Sequence, residues 1–143
     1  MNSSAETAAV RRAVDQWLVA LNAMLAGNPE PFAALSSHAD DVLYIGGEGT
    51  YRIGWEAAWA DWKQQAAKSR GGHVDAGDIH IVVGGDLASV GLVARPKIVA
   101  PDGSTKELRV RQSSVFRKES GAWKMISHHA DNIPLWMEVV GTR

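Results

Sequence analysis

SVFRKESGAWKMISHHAD, residues 114–131, is the stretch on which the fold turns. Two runs of β-prone residues flank Glu119-Ser120-Gly121, a separator with the chemistry of a hairpin. Working upstream, the same pattern recurs. His73 to Val83, Leu87 to Ala100 and Thr105 to Lys118 read as strands, divided by Gly84-Gly85-Asp86 and Pro101-Asp102-Gly103-Ser104. Separators this short oblige neighbouring strands to run antiparallel. Several runs exceed the usual five or six residues, which implies strong twist and curvature. Pro96 has no N–H to give to a ladder, so it marks a bulge or an edge where the sheet bends.

The first half has a helical period. Val10, Val14, Trp17, Leu18, Leu21, Met24 and Leu25 form one apolar stripe. Ser3 and Glu6 have the spacing of a capping box, and Gly27 supplies the stop. Asn28-Pro29 opens a short second helix running to about Ser36. Val42-Leu43-Tyr44-Ile45 is a brief β-prone run closed by Gly46-Gly47. A third helix is expected from about Gly54 to Lys68, with Trp55, Trp59 and Trp62 on one face. Helices followed by a meander of long strands give an α+β fold, with the helices on one face of a strongly curved antiparallel sheet.

The 143 residues suit a single domain spanning 1–143, and 45% hydrophobic content supports one core. Net charge is -1 with both signs dispersed, which argues against a phosphate-gripping surface and hence against nucleic acid as partner. There is no cysteine, so disulfides, thiolate metal sites and cysteine nucleophiles are excluded. No segment has the length of a signal-peptide core or a membrane span, so a cytoplasmic protein with no membrane partner is expected. No nucleotide-binding glycine motif occurs, and His38, His73 and His80 come from separate elements without ligand spacing. Neither a metal nor another cofactor is expected.

The order of elements and several strings resemble the NTF2-like superfamily, in its SnoaL-like and ketosteroid-isomerase-like branch. The matching pieces are Trp17 to Ala23, His38 to Val42, Gly85 to Ala88 and the final hairpin, Ser114 to Asp131. This resemblance implies a cone-shaped fold, three N-terminal helices over the curved sheet, enclosing a small hydrophobic pocket. It also implies a homodimer. The family's members include isomerases, polyketide cyclases, dehydratases, epoxide hydrolases and domains without catalysis, so the fold alone names no reaction. In ketosteroid isomerases a tyrosine stands at the Trp17 position, and the proton-shuttling aspartate falls near Gly46. Neither residue here can do that work, which argues against classical ketosteroid isomerisation.

Strict alternation puts Trp123, Met125, Ser127, His129 and Asp131 on one face of the last strand. His129 oriented by Asp131 is then the candidate acid–base pair. The alternative is that His129 bonds neighbouring strands and Asp131 caps the strand end. Arg111 and Ser113 alternate together on the preceding strand. Some SnoaL-like and association-domain relatives hold an anionic group with an arginine there, and an inward Arg111 would do so as a fork-shaped donor. An outward arginine on a solvated or dimer face is the competing reading. Tyr44 offers a phenol to an oxyanion or is simply a core tyrosine, while Trp17, Trp55 and Trp59 suit an aromatic ligand or simply pack.

Two functions follow. One is a cofactor-independent isomerase, cyclase or hydratase acting on a small apolar carbonyl compound or acid. The other is a non-catalytic ligand-binding or association domain, dimerising through an outer sheet face with Ile126 and Phe116 at its centre. The run Leu135 to Val140 either closes the pocket or packs on a partner.

Overall fold

The structure, a computed structural model, describes residues 3–47 and 49–132. Three helices come first in the chain, interrupted by a small hairpin: α1 (Ser3–Leu25), α2 (Glu30–Leu35), β1 (Leu43–Ile45), β2 (Tyr51–Ile53) and α3 (Trp55–Lys68). The meander follows as β3 (Gly72–Gly84), β4 (Leu87–Val99), β5 (Thr105–Glu107), β6 (Val110–Glu119) and β7 (Ala122–Asn132). All strands join one sheet in the order β2-β1-β7-β6-β4-β3, with β5 attached to β4. The sheet is mixed: β1 pairs with β7 in parallel, and the other strand pairs are antiparallel. The fully antiparallel sheet expected from sequence fails there because a helix, α2, separates α1 from β1 and no hairpin links β1 to β7. The expected run from Thr105 to Lys118 is also broken, at Leu108 and Arg109, into β5 and β6.

α1 lays its stripe across the sheet, with Val10, Val14, Trp17, Ala20 and Met24 buried and Val19 facing out. Gly27 ends it at φ +94, a left-handed conformation that a Cβ would disfavour. Glu6 leaves the expected capping box for the far end of the sheet. Its carboxylate accepts from Lys118 Nζ at 2.9 Å and from Trp123 Nε1 at 3.1 Å. Asn22 ties the helix to an edge strand: its Oδ1 accepts from Val74 N, and its Nδ2 donates to Val74 O, at 2.9 and 3.0 Å. These bonds satisfy backbone groups that an edge would leave open.

Two bulges shape the sheet. In β3 the register slips by one residue between Gly77 and His80, where Asp78 adopts φ +53. In β7, Val115 pairs with Ser127 but Phe116 pairs with Met125, leaving Ile126 extra. Pro96 sits opposite the break between β5 and β6, where its carbonyl accepts from Leu108 N at 2.9 Å. Its missing N–H therefore faces the place where the ladder is already interrupted. Phe116, expected on an outer dimer face, is 1% exposed and belongs to the core, because the even-numbered residues of β6 face α1. No helix among the described residues is long and apolar enough to cross a membrane.

Candidate functional site

The concave side of the sheet and the helices line a partly open cavity of about 330 Å³. Its walls are apolar: Leu21 and Leu25 from α1, Trp62 from α3, Val74 from β3, Ala94, Pro96 and Ile98 from β4, Leu108 and Val110 near the start of β6. Four polar side chains converge on it, Tyr44, Gln65, Gln112 and His128. The volume lies within the range of small-molecule sites, and so does this mixture of apolar wall and few polar groups. A larger hollow of about 700 Å³ runs outside, between α1, α2 and the β6–β7 turn. It is lined by Arg12, Asp15, Gln16 and Lys124 beside Val19, Leu35, Trp123 and small residues. The interior cavity has the convergent, buried polar groups that the outer hollow lacks.

Each polar group is set by its element. Tyr44 is the inward residue of the three-residue strand β1 and is 2% exposed. Its hydroxyl accepts from the Gln65 amide at 2.5 Å, nearly three turns along α3 from Trp55. Gln112 and Ser114 point inward from β6, and the Gln112 Nε2 donates to Ser114 Oγ at 3.2 Å. The same amide nitrogen stands 3.3 Å from His128 Nδ1, which must therefore accept. His128 is 7% exposed and ringed by aromatics: Trp62 at 5.2 Å, Tyr44 at 5.6 Å, Phe32 at 6.3 Å and Trp17 at 6.4 Å between centroids. Burial pushes its pKa down to about 3, with the neighbouring His129 adding to the effect, so the ring is neutral at physiological pH.

The bulge at Ile126 reverses the expected alternation. Trp123 and Met125 face inward, but beyond the extra residue the inward set becomes His128 and Ala130. His129 and Asp131 point away from the cavity. They do meet, His129 Nε2 to Asp131 Oδ2 at 3.1 Å, with side chains 43% and 60% exposed. Arg111 and Ser113 are exposed on the same outer face, register partners of Asp131 and His129. The strand thus brings together four expected site residues, but on the solvent side.

Tyr44 is the one expected site residue that lines the cavity. Trp17 lies beneath it, beside Gln112 and Ser114 along a gap too narrow for water. Its indole Nε1 is buried with no hydrogen-bond partner among the described residues. Trp55 and Trp59 turn the other way, in a stack of His38, Trp55 and Trp59 with centroid spacings of 4.3 and 5.4 Å. The pocket indole is Trp62, which also stacks on Phe32 at 4.2 Å. Sequence reading missed His128, Gln112 and Gln65 as site residues. His128 was hidden by the bulge, and a glutamine carries no sequence signal of its orientation. Leu135 to Val140 lies outside the described residues.

A helical layer closing a curved mixed sheet into a cone around a small cavity is the NTF2-like fold. The chain belongs to the SnoaL-like domain family, whose match spans residues 10–134. Among solved structures it is similar to a candidate dehydratase of the NTF2-like family from Streptomyces avermitilis, at TM-score 0.82 and 21% identity, covering 93% of this chain and 99% of that one. An NTF2-like superfamily protein from Salmonella enterica matches at TM-score 0.80 and 18% identity over 92% and 93% of the two chains. The association domain of C. elegans CaMKII matches at TM-score 0.70 and 20% identity over 91% and 99%. Comparison with curated proteins found no match.

Proposed function

We propose that this protein binds a small, largely apolar molecule inside the cone, with Tyr44, Gln65, Gln112 and His128 orienting its polar group. The observation that carries this reading is the cavity of about 330 Å³ with apolar walls and four convergent neutral polar side chains. If turnover occurs there, it is of the isomerase, cyclase or dehydratase type. A neutral N–H donor such as the second ring nitrogen of His128 would then stabilise charge developing on a carbonyl oxygen. Proton shuttling by His128 fits poorly, since a ring held near pKa 3 is a weak base. The His129–Asp131 pair, outside the cavity, suits an interface better than a reaction. A homodimer through the outer sheet face is supported by the association-domain relatives and by exposed Tyr51, Ile53 and Val82 on that side.

Titration with 1-indanone, followed by amide NMR, tests the binding site. Shifts are expected at Ala94, Val110, His128 and Ala130, and the cavity-filling Val110→Trp should abolish them. Shifts mapping instead to the outer hollow around Arg12 and Lys124 would overturn the proposal.

A further inference from the structure

The described lining of the cone contains no Asp, Glu, Lys or Arg. An anionic group reaching the buried Gln112 and His128 would shed water without meeting a counter-charge, a transfer that costs far more than burying a neutral polar group. An uncharged ligand avoids that cost.

The hydrogen-bond pattern then decides which uncharged groups fit. Gln112 and Ser114 are 7% and 3% exposed, so neither is free to exchange its partner for solvent. The Gln112 Nε2 donates to both Ser114 Oγ and His128 Nδ1. Amide nitrogen cannot accept, so a neutral His128 paired with it keeps its proton on Nε2. Gln112 is the only hydrogen-bond partner of that ring among the described residues. The second ring nitrogen is therefore a donor, on a side chain that lines the cavity. Leu25, Ile98 and Leu108 supply apolar contact for the rest of the ligand, and Leu108 is 44% exposed.

Resting on the binding reading above, we infer that the cone selects uncharged ligands bearing a hydrogen-bond-accepting oxygen, and that Gln112 is the positioning residue that sets this preference through the tautomer of His128. Three probes of one shape separate the possibilities: 1-indanone, indane, and indane-1-carboxylate. Calorimetry should rank indanone about tenfold above indane, one neutral hydrogen bond's worth. The carboxylate should bind at least a hundredfold more weakly than indanone. In the free protein, the ¹⁵N shift of His128 Nδ1 should be that of an unprotonated ring nitrogen and that of Nε2 a protonated one. Gln112→Leu should release the tautomer, seen as averaging of the two ring shifts, and narrow the preference for indanone over indane. Failure of all three probes to shift cone residues would remove the binding reading itself. Carboxylate binding as tight as indanone, or a protonated Nδ1 in the wild-type protein, would overturn the selectivity inference alone, and neither measurement needs the variant to fold.

Discussion

The inner and outer faces of β7 carry adjacent histidines with opposite fates. His128 is sealed among Trp17, Phe32, Tyr44 and Trp62, neutral and held by Gln112. His129, one residue on, is half-exposed beside Asp131, Ser113 and Arg111. Chemistry does not distinguish the two side chains; a single extra residue in the strand does. The comparison teaches that in a half-buried strand the role of a titratable residue is set by the parity of its position, and that a bulge resets parity.

The comparison breaks most severely if charge is moved to the inner face. Ala130→Asp should cost more than about 4 kcal/mol, because it places an unpaired carboxylate in the core. Little folded protein should survive by circular dichroism. Asp131→Ala, next along but outside, should change stability by less than about 0.5 kcal/mol.

Acid sharpens the same contrast. His128 titrates at about 3 in the folded chain, below the 6.5 of an unperturbed histidine, so the unfolded chain takes up a proton that the folded one refuses. Its contribution to stability is complete above pH 6.5 and lost as pH falls from there toward 3. The slope is about 1.4 kcal/mol per pH unit. Lys118 holds Glu6 low and Arg117 holds Asp41 low, while for Glu119 burial pushes upward but Arg117 and Ser37 together outweigh it. The stability they supply is present above their ordinary pKa of 4.5 or below and is lost on further acidification. Urea denaturation between pH 6.5 and 4.5 covers the His128 limb, with an expected loss of about 2 kcal/mol. His128→Phe should flatten that limb.

At neutral pH, His128→Ala should cost about 2–3 kcal/mol, from the cavity left and the Gln112 amide stripped of an acceptor. His129→Ala should stay within about 0.5 kcal/mol by the same measurement. A smaller effect tests the sheet's far edge. Asn22→Ala should cost about 1–2 kcal/mol, since Val74 loses both side-chain partners of its backbone. Faster hydrogen exchange at the Val74 amide would accompany it; unchanged exchange would show that the bond contributes nothing.

Much of the architecture was legible. The stripe from Val10 to Leu25, the stop at Gly27 and the separators Gly84-Gly85-Asp86 and Glu119-Ser120-Gly121 each state a local preference that the fold obeys. The short hairpin of β1 and β2 was half visible, since Val42 to Ile45 is β-prone while Tyr51-Arg52-Ile53 is too brief to show a period. Of the expected site residues only Tyr44 lines the cavity. Trp55, Trp59 and Trp62 share a helical spacing, but a stripe wider than the cavity wall leaves Trp55 stacked between His38 and Trp59 instead.

Local pattern was enough for helices, strands, turns and the family, because periodicity and turn chemistry act over a few residues. Which side of β7 holds the cavity was settled only by long-range pairing. Ser37 N donates to the Met125 carbonyl and β1 joins in parallel from Ser127 onward, and between those two contacts β7 accommodates Ile126 as an extra residue. Nothing in Met125-Ile126-Ser127 marks a bulge, since isoleucine is an ordinary strand residue. The lack of charged side chains among the described residues of the cavity lining likewise comes from tertiary structure, which brings together residues far apart in the chain.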